Sequence, residues 1–211
     1  MYNASMATVD KADIVRIQNL YSKQNYSARM IAETLHYPLN AVYYAMRRHN
    51  IVRRDAFENR QIQFNRKPLS YALKTNLSER DRSLKLAGVM LYWTEGYKTA
   101  KSSGIDFANS DIKMVILFIS FLRTICVINE DRLRVYLYCH DKALQNEFID
   151  FWSLQLKVPK KQFTKPYIHT SGRVDKKGKM PYGLVHIRYA DKKLLIQVLD
   201  WIEEYKSSLA D

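Results

Sequence analysis

Residues 84–98 have the sequence LKLAGVMLYWTEGYK, and this segment determines how most of the chain is organised. Small and apolar side chains recur in it at helical spacing, at Leu84, Ala87, Gly88, Leu91 and Tyr92. Ser78 and Asp81 precede them as a capping box, in which a hydroxyl and a carboxylate satisfy free amides of the first turn. The pattern predicts a helix that begins after Ser78 and ends at Gly96, because glycine accepts the left-handed conformation of a helix stop.

Glu95 is the last residue before that glycine, so its carboxylate is expected at the C-terminal end of the helix. The helix dipole disfavours negative charge there, and we expect the carboxylate to have a cation partner. Ala87 and Gly88 are small enough for another backbone to approach, and a second copy of the same helix is the natural partner, with Leu91 in the same interface. Two Glu95 carboxylates from two abutting helices can then share or flank divalent metal ions.

The run LAG, followed by apolar residues, an acid and a glycine, resembles the LAGLIDADG motif of homing endonucleases and their non-cleaving relatives. The resemblance extends over roughly Leu84 to Tyr205 and implies that Glu95 binds a catalytic metal, Mg²⁺. The sequence departs from the motif by one inserted residue, and Tyr92-Trp93 stand where a first acid often lies. An ordinary core helix with a C-terminal glycine stop is the alternative interpretation of the same residues.

The resemblance also implies a hairpin and a second helix after the acid. The hairpin is predicted from Lys98 to Ala108 with Gly104 in its turn, and the buried helix from Met114 to Cys126, capped by Ser110 or Asp111. Asn109, at the end of the second strand, matches a polar residue that positions water or metal at the scissile phosphate; a turn asparagine is the alternative. Arg188, near the end of the last strand, matches a basic residue close to the active site. The implied catalytic residues are therefore Glu95, Asn109 and Arg188.

The composition indicates a polyanionic partner. The chain has 211 residues, 47% of them hydrophobic, and a formal net charge of +13. Enough apolar residues are present for real cores, and the positive charge favours nucleic acid as partner, with solubility alone as the alternative. Cys126 and Cys139 lack metal-ligand spacing and are expected to be buried free thiols in a reducing compartment. With no membrane-length apolar run and no signal pattern, we expect a cytoplasmic, nucleoid-associated protein.

The first third of the chain has three predicted helices. They cover Ala12 to Gln24, a short helix from Ser27 to Leu35, and Ala41 to His49 with Asn40 at its start. The spacing of Ile31, Ala32, Leu35, Val42 and Met46 resembles the helix-turn-helix of resolvase-like and repressor-like DNA-binding domains. A three-helix interaction module without DNA is the alternative. Asn50 stands where the family usually has glycine, and asparagine also tolerates positive φ.

In a helix-turn-helix reader the third helix enters the major groove. The residues expected to face base edges are Asn40, Tyr43, Tyr44 and Arg47. Those expected to contact phosphates are Arg29, Arg48, Arg53 and Arg54. Residues 55–77 lack a sustained period and are predicted to be a partly ordered basic linker that follows a DNA groove, or else a plain solvated connector.

The last eighty residues carry a second set of predicted DNA contacts. Arg132 to His140 alternates apolar residues with basic and aromatic ones, which predicts a strand with one core face and one face suited to DNA. A helix at 141–157, strands at 162–170 and 182–189, a cationic loop at 171–181 and a closing helix at 192–205 complete the prediction. The predicted DNA contacts of this region are Arg132, Arg134, Tyr136, Tyr138, Lys165, Tyr167, Arg173, Lys176, Lys177 and His186, and Lys98 after the LAG…EG helix is a further one.

The predicted fold class is α+β. It comprises a helix-turn-helix domain at 1–54, a linker at 55–77 and a LAGLIDADG-like domain at 78–211 with an antiparallel sheet flanked by helices. The resulting hypothesis is sequence-specific binding of double-stranded DNA, with Mg²⁺-dependent cleavage of a pseudo-palindromic site by a homodimer, since the chain has one LAG…EG helix. The alternative is a non-cleaving transcription regulator. A recombinase accessory role is suggested only by the first domain, and RNA binding stays open because basic, aromatic sheets also stack single-stranded bases.

Overall fold

The computed structural model of the protein describes residues 9–99, 101–139, 141–168 and 180–208. The chain divides into two compact units, Met1–Pro68 and Leu69–Asp211. Each unit has its own hydrophobic core. The predicted cationic loop lies almost entirely outside the described residues.

The first unit contains the helices α1 (Lys11–Ser22), α2 (Ala28–Leu35), α3 (Leu39–Arg48) and α4 (Ala56–Arg66). Ser27 caps α2 as predicted, because its hydroxyl accepts from the Met30 amide at 3.1 Å. The prediction that Asn40 opens α3 is wrong. Pro38 occupies the N-cap position with φ −59°, a value that its ring fixes and that suits the entry to a helix. Ile17, Ile31, Val42 and Met46 are among the buried residues of the core.

Two of the helices in this unit end at or just before a residue whose backbone is in the left-handed conformation. His36 (φ 57°) ends α2, and Asn50 (φ 53°) follows the last turn of α3. The Asn50 conformation confirms the expectation that this residue takes the place of a glycine.

The first half of the predicted linker is a helix. Asp55 and Glu58 form a capping box at the start of α4, with the Asp55 carboxylate accepting from the Glu58 amide at 2.7 Å. None of the α4 residues is buried. The helix therefore has no apolar stripe at helical spacing, which is the sequence pattern from which a helix is predicted. Residues from Leu69 onward belong to the second unit, where Tyr71 bridges to Ile128.

The second unit is a mixed sheet with helices against one face. Its helices are α5 (Glu79–Glu95), α6 (Ile112–Thr124), α7 (Gln145–Leu156) and α8 (Lys192–Ser208), with short 3₁₀ turns at Glu130–Arg132 and Lys160–Gln162. Its strands are β1 (Ile105–Asn109), β2 (Leu133–Cys139), β3 (Tyr167–Ile168) and β4 (Leu184–Tyr189), in the order β1-β4-β2-β3. The α+β class is confirmed. The sheet is mixed and not antiparallel throughout, because β3 pairs with β2 in parallel.

The core lies between the sheet and the helices α5, α6 and α8. Along β2 the burial alternates as predicted, with Leu133, Val135, Leu137 and Cys139 inward. Phe118 of α6 stacks on Phe107 of β1 with 4.2 Å between the ring centres. Tyr92 of α5 stacks on the same phenylalanine at 5.8 Å, and burial raises the pKa of Tyr92 to about 12.

Gly88 serves packing within the chain, which corrects its predicted place in a dimer interface. A Cβ at Gly88 would lie 2.2 Å from Cγ of Phe121, so the close neighbour of α5 is α6 of the same chain. The other two predicted interface residues, Ala87 and Leu91, line an open apolar groove together with Met114. Only these two of the three remain available to a second copy.

Gly96 ends α5 as predicted, but not in the predicted conformation. Its backbone is extended, with φ −78° and ψ 149°. Glycine is required for a different reason, since a Cβ would lie 2.4 Å from the Tyr92 carbonyl oxygen. The chain then runs directly alongside β1, where Gly96 bridges to Phe107 and the Tyr97 amide donates to the Asp106 carbonyl at 2.8 Å.

Two predicted strands are shorter than expected. Of the hairpin from Lys98 to Ala108, the described residues contain β1 and no strand before it. Of the strand predicted at 162–170, the described residues 162–168 contain only the two residues of β3, because Lys160–Gln162 forms a 3₁₀ turn and Phe163 makes a single bridge to Val135. Asp111, one of the two predicted caps, is the N-cap of α6 and accepts from the Lys113 amide at 2.8 Å.

The cysteines are buried free thiols, as predicted. Cys126 lies in the core, and burial raises its pKa to about 12, while burial also raises the pKa of Cys139. In the part of the chain that the structure describes, no helix is both long and apolar enough to cross a membrane.

Gly88→Ala tests the packing of α5 on α6. Alanine favours helix by about 1 kcal/mol over glycine, yet the new methyl group overlaps the buried Phe121 ring. We expect the free energy of unfolding, measured by urea denaturation, to fall by about 1–3 kcal/mol. Leu86→Ala, at a residue 45% exposed on the same helix, is the control and should change it by no more than about 0.5 kcal/mol. A stabilised Gly88→Ala variant would contradict the packing described above.

Asp81 predicts an acid-sensitive step in stability. Its carboxylate accepts from Lys74 Nζ at 2.8 Å and from the Ser78 hydroxyl and amide, and these bonds hold its pKa at about 2, below the ordinary 3.8. Because the folded pKa is the lower one, its contribution is present above about pH 4 and is lost as the pH falls toward 2. We expect the thermal unfolding temperature of Asp81→Asn to fall less than that of the wild type between pH 4 and pH 2. The control Glu79→Gln, at an exposed residue two positions earlier, should lose stability as the wild type does.

Candidate nucleic-acid interface

The face of the sheet opposite the core carries polar, basic and aromatic side chains. Alternation along each strand puts them there, since every second residue points inward. This outer face comprises Asp106 of β1, Arg134, Tyr136 and Tyr138 of β2, Tyr167 of β3, and His186 and Arg188 of β4. Five of these seven residues were predicted to contact DNA, Arg188 was predicted to be catalytic, and Asp106 was not predicted at all.

Asp106 organises this face. One carboxylate oxygen lies 2.8 Å from Nδ1 of His186, and the other accepts from Nε of Arg188 at 2.7 Å. The register explains both contacts, because Asp106 is directly opposite Arg188 and diagonal to His186 on the neighbouring strand. His186 and Arg188 therefore share one face, as predicted. The only sequence signal for Asp106 was its place between the two buried residues Ile105 and Phe107.

Arg188 is held from two sides. Its guanidinium carbon lies 4.0 Å above the centre of the Tyr136 ring, a cation–π contact across β2 and β4. Partial burial by itself lowers the pKa of Arg188, but the attraction of Asp106 outweighs it, and the net pKa is raised. Arg188 therefore remains a cation, oriented by Tyr136 and Asp106.

A groove of about 500 Å³ opens at the end of the sheet where β1 and β2 begin and β4 ends. Arg132, Arg134, Arg188 and Lys101 line it, with Asp106 as the one acidic residue among the lining residues. Backbone carbonyls hold two of the arginines, since Arg132 donates to Ala190 and Arg134 Nη1 to Asp131 at 2.6 Å. The excess of cations makes the groove suitable for a phosphate.

The predicted catalytic residues are not brought together. Asn109 pairs with Val185 and Asp106 with Arg188, so Asn109 lies three residues, or about 10 Å, along the sheet from Arg188 and on the alternate face. The Asn109 amide oxygen accepts from the Asp111 amide at 2.8 Å, which is the turn role that was the alternative interpretation. Arg188 is engaged by Asp106 on the outer face.

Glu95 lies at the C-terminal end of α5, as predicted, and is exposed. Lys98, a predicted DNA contact, turns back to the helix end and donates to the carbonyls of Trp93 at 2.9 Å and Gly96 at 2.7 Å. It thereby satisfies free carbonyls of the last turn. No group of three or more His, Cys, Asp or Glu side chains able to hold a metal occurs among the described residues, so Glu95 belongs to no such group there.

In the first unit, α3 presents the predicted side chains to solvent. Asn40, Tyr44, Arg47 and Arg48 are exposed, and Tyr43 is half-buried. Arg29 of α2 is exposed as well. The exposed residues among them are accessible to a ligand, whereas Tyr43 packs against the core of the unit.

Arg53 and Arg54 differ from each other. Arg53 is exposed and lies over the Tyr43 ring at 4.9 Å. Arg54 was expected to contact phosphate, but it stacks on Tyr21 at 4.0 Å and donates to Asn25 Oδ1 at 3.2 Å and to the Tyr26 carbonyl. Its guanidinium therefore connects α1, the following loop and the segment after α3.

Of the four remaining predicted contacts, one lies among the described residues. Lys165 is exposed two residues before Tyr167. Arg173, Lys176 and Lys177 lie outside the described residues.

No family model, curated protein or solved structure matches this chain. The function is therefore inferred from the arrangement of its own residues.

Asp106→Asn tests whether the outer face meets a polyanion. The substitution keeps an oxygen acceptor for Arg188 and removes a negative charge from the face. We expect a duplex DNA to bind about fivefold more tightly at low salt, equivalent to about 1 kcal/mol, with the difference shrinking as salt is added. Fluorescence anisotropy titrations at several salt concentrations measure both quantities.

The matched control is Asp200→Asn, which makes the same charge change at an exposed residue of α8 on the helical side of the sheet. It should alter the affinity by less than about twofold, because salt screens a charge on the far side of the sheet from the outer face. Equal effects of the two substitutions would show that net charge, and not this face, governs binding.

Proposed function

We propose that this protein binds double-stranded DNA in a sequence-specific manner, with the outer face of the sheet as one contact surface. The observation that carries the proposal is the groove lined by Arg132, Arg134 and Arg188, continuous with the tyrosines of the outer face. Arginine forks suit phosphates and guanine edges, and an exposed sheet face is one of the elements used to read DNA. The net charge of +13 favours the same class of ligand.

The first unit supports a second contact surface. Two helices, α2 and α3, are joined by three residues, and Ala32, 6% exposed, sits in the core between α1, α2 and α3. This order and packing support the helix-turn-helix interpretation, in which α3 is the recognition helix. Asn40, Tyr44 and Arg47 then face base edges, and Arg29, Arg48 and Arg53 contact phosphates. Arg54 is left out of the proposed interface because it is engaged within the unit.

The order of elements supports the LAGLIDADG-like interpretation. Helix α5 ends in Glu95-Gly96 and is followed by β1, α6, β2, β4 and α8, while α7 and β3 are additions between β2 and β4. On this interpretation the outer face of the sheet is the surface laid against DNA.

Cleavage is the second candidate function. In this candidate, the Glu95 carboxylates of two copies would hold Mg²⁺, and the metal would supply activation of water and stabilisation of the leaving oxygen. The exposed position of Glu95 at the helix end favours this candidate. Against it stand the turn role of Asn109 and the pairing of Arg188 with Asp106. DNA binding without cleavage, as in a transcription regulator, therefore comes first.

The binding proposal is tested by selecting duplexes from a random library with the purified full-length protein and measuring the affinity for the selected sequence. Arg134→Ala should weaken binding by about tenfold, since a lost arginine contact costs about 1–3 kcal/mol. Arg80→Ala, at an exposed arginine in the first turn of α5, is the control and should stay within about twofold of the wild type. Failure to enrich any duplex would overturn the proposal.

The same selected DNA tests cleavage. A regulator leaves the duplex intact in both Mg²⁺ and EDTA. Cuts at a fixed site that require Mg²⁺ and disappear in Glu95→Gln, while binding persists, would instead establish the endonuclease. The loss of binding together with cutting in Glu95→Gln would argue against a metal role for that carboxylate.

A further inference from the structure

We propose that Tyr167, Tyr138 and His186 form a stacking site for an unpaired nucleobase. The inference rests on the proposed nucleic-acid binding and goes beyond it, because it specifies the conformation of the ligand. A matched duplex offers base edges in its grooves and keeps base faces stacked on one another. Only a bulged, frayed or single-stranded base can present its face to a protein ring.

The three rings form a continuous row across three strands. Tyr138 of β2 is directly opposite Tyr167 of β3, and their ring centres are 5.2 Å apart. On the other side, Tyr138 lies 4.7 Å from the ring of His186 of β4, with 33° between the ring planes. Cross-strand pairing therefore sets the positions of all three rings.

The row is open to solvent at the Tyr167 end. Tyr167 is 57% exposed, whereas the core aromatics Phe107 and Phe118 are fully buried. Tyr138 and His186 are half-buried, and the Asp106 carboxylate fixes His186 through Nδ1. The exposed part of the Tyr167 ring, held next to Tyr138, offers a base a stacking surface at little entropic cost.

Cations lie at the His186 end of the row. Beyond His186, Arg188 lies over Tyr136, and Arg134 is directly opposite Arg188 on β2. A base placed on the row therefore has its phosphate on the side of these two arginines.

The test compares two DNA duplexes whose paired sequence is the same. One is fully matched, and the other carries in addition a single unpaired 2-aminopurine. The full-length wild-type protein should bind the bulged duplex about tenfold more tightly and quench the 2-aminopurine fluorescence. Tyr167→Ala should reduce the preference to less than about twofold and abolish the quenching, while Tyr167→Phe, which keeps the ring, should retain both. Phe57→Ala, which removes an exposed ring from α4 in the first unit, is the control and should leave the preference unchanged.

The outcomes separate this inference from the proposed function. Equal affinity for the two duplexes, or a preference that persists in Tyr167→Ala, would overturn the stacking site and leave DNA binding intact. No binding of either duplex by the wild type would overturn both. Repeating the titrations with RNA of the same sequence distinguishes the source of the base, DNA or RNA.

Discussion

The packing of α6 on α5 at Gly88 is the constraint on which the second unit depends. Phe121 occupies the space where any side chain at position 88 would be, and Phe118 on the same helix stacks on both Tyr92 and Phe107. These contacts cover the inner face of the sheet. Because strand residues alternate, covering one face leaves Arg134, Tyr136, Tyr138, His186 and Arg188 on the other. The proposed contact surface is thus a consequence of how the core is filled.

Asp106 gives that surface its order. Without a carboxylate between them, Arg188 and His186 would be two cationic or polar side chains without a shared anchor on an exposed sheet. With it, Arg188 is held against Tyr136, and His186 is held against Tyr138. The Asp106 carboxylate also repels a polyanion. It therefore weakens the electrostatic attraction of the face for DNA while it orients Arg188 and His186. Orientation is what distinguishes reading a sequence from attracting phosphates.

Local patterns predicted much of this fold. The alternation along β2, the caps at Ser27 and Ser78, and the end of α5 at Glu95 depend on neighbouring residues and were found in the structure. The missed features depend on partners distant in sequence or on the absence of burial. Asp106 meets residues 80 and 82 positions away, Phe121 rather than a second chain fills the space at Gly88, and α4 buries no side chain. Asn109 and Arg188 of the implied set lie on opposite faces of the sheet for a related reason, since strand register determines which face a residue occupies.

We propose that the outer face of the sheet contacts DNA. Photo-crosslinking to the selected duplex carrying 5-bromouracil, followed by mass spectrometry of the attached peptides, tests it most directly. We predict attachment on β2 and β4, at Tyr136, Tyr138 or the segment around His186, in addition to any attachment on α3. Crosslinks confined to α3, or found on α5 and α8 at the helical side of the sheet, would contradict the claim.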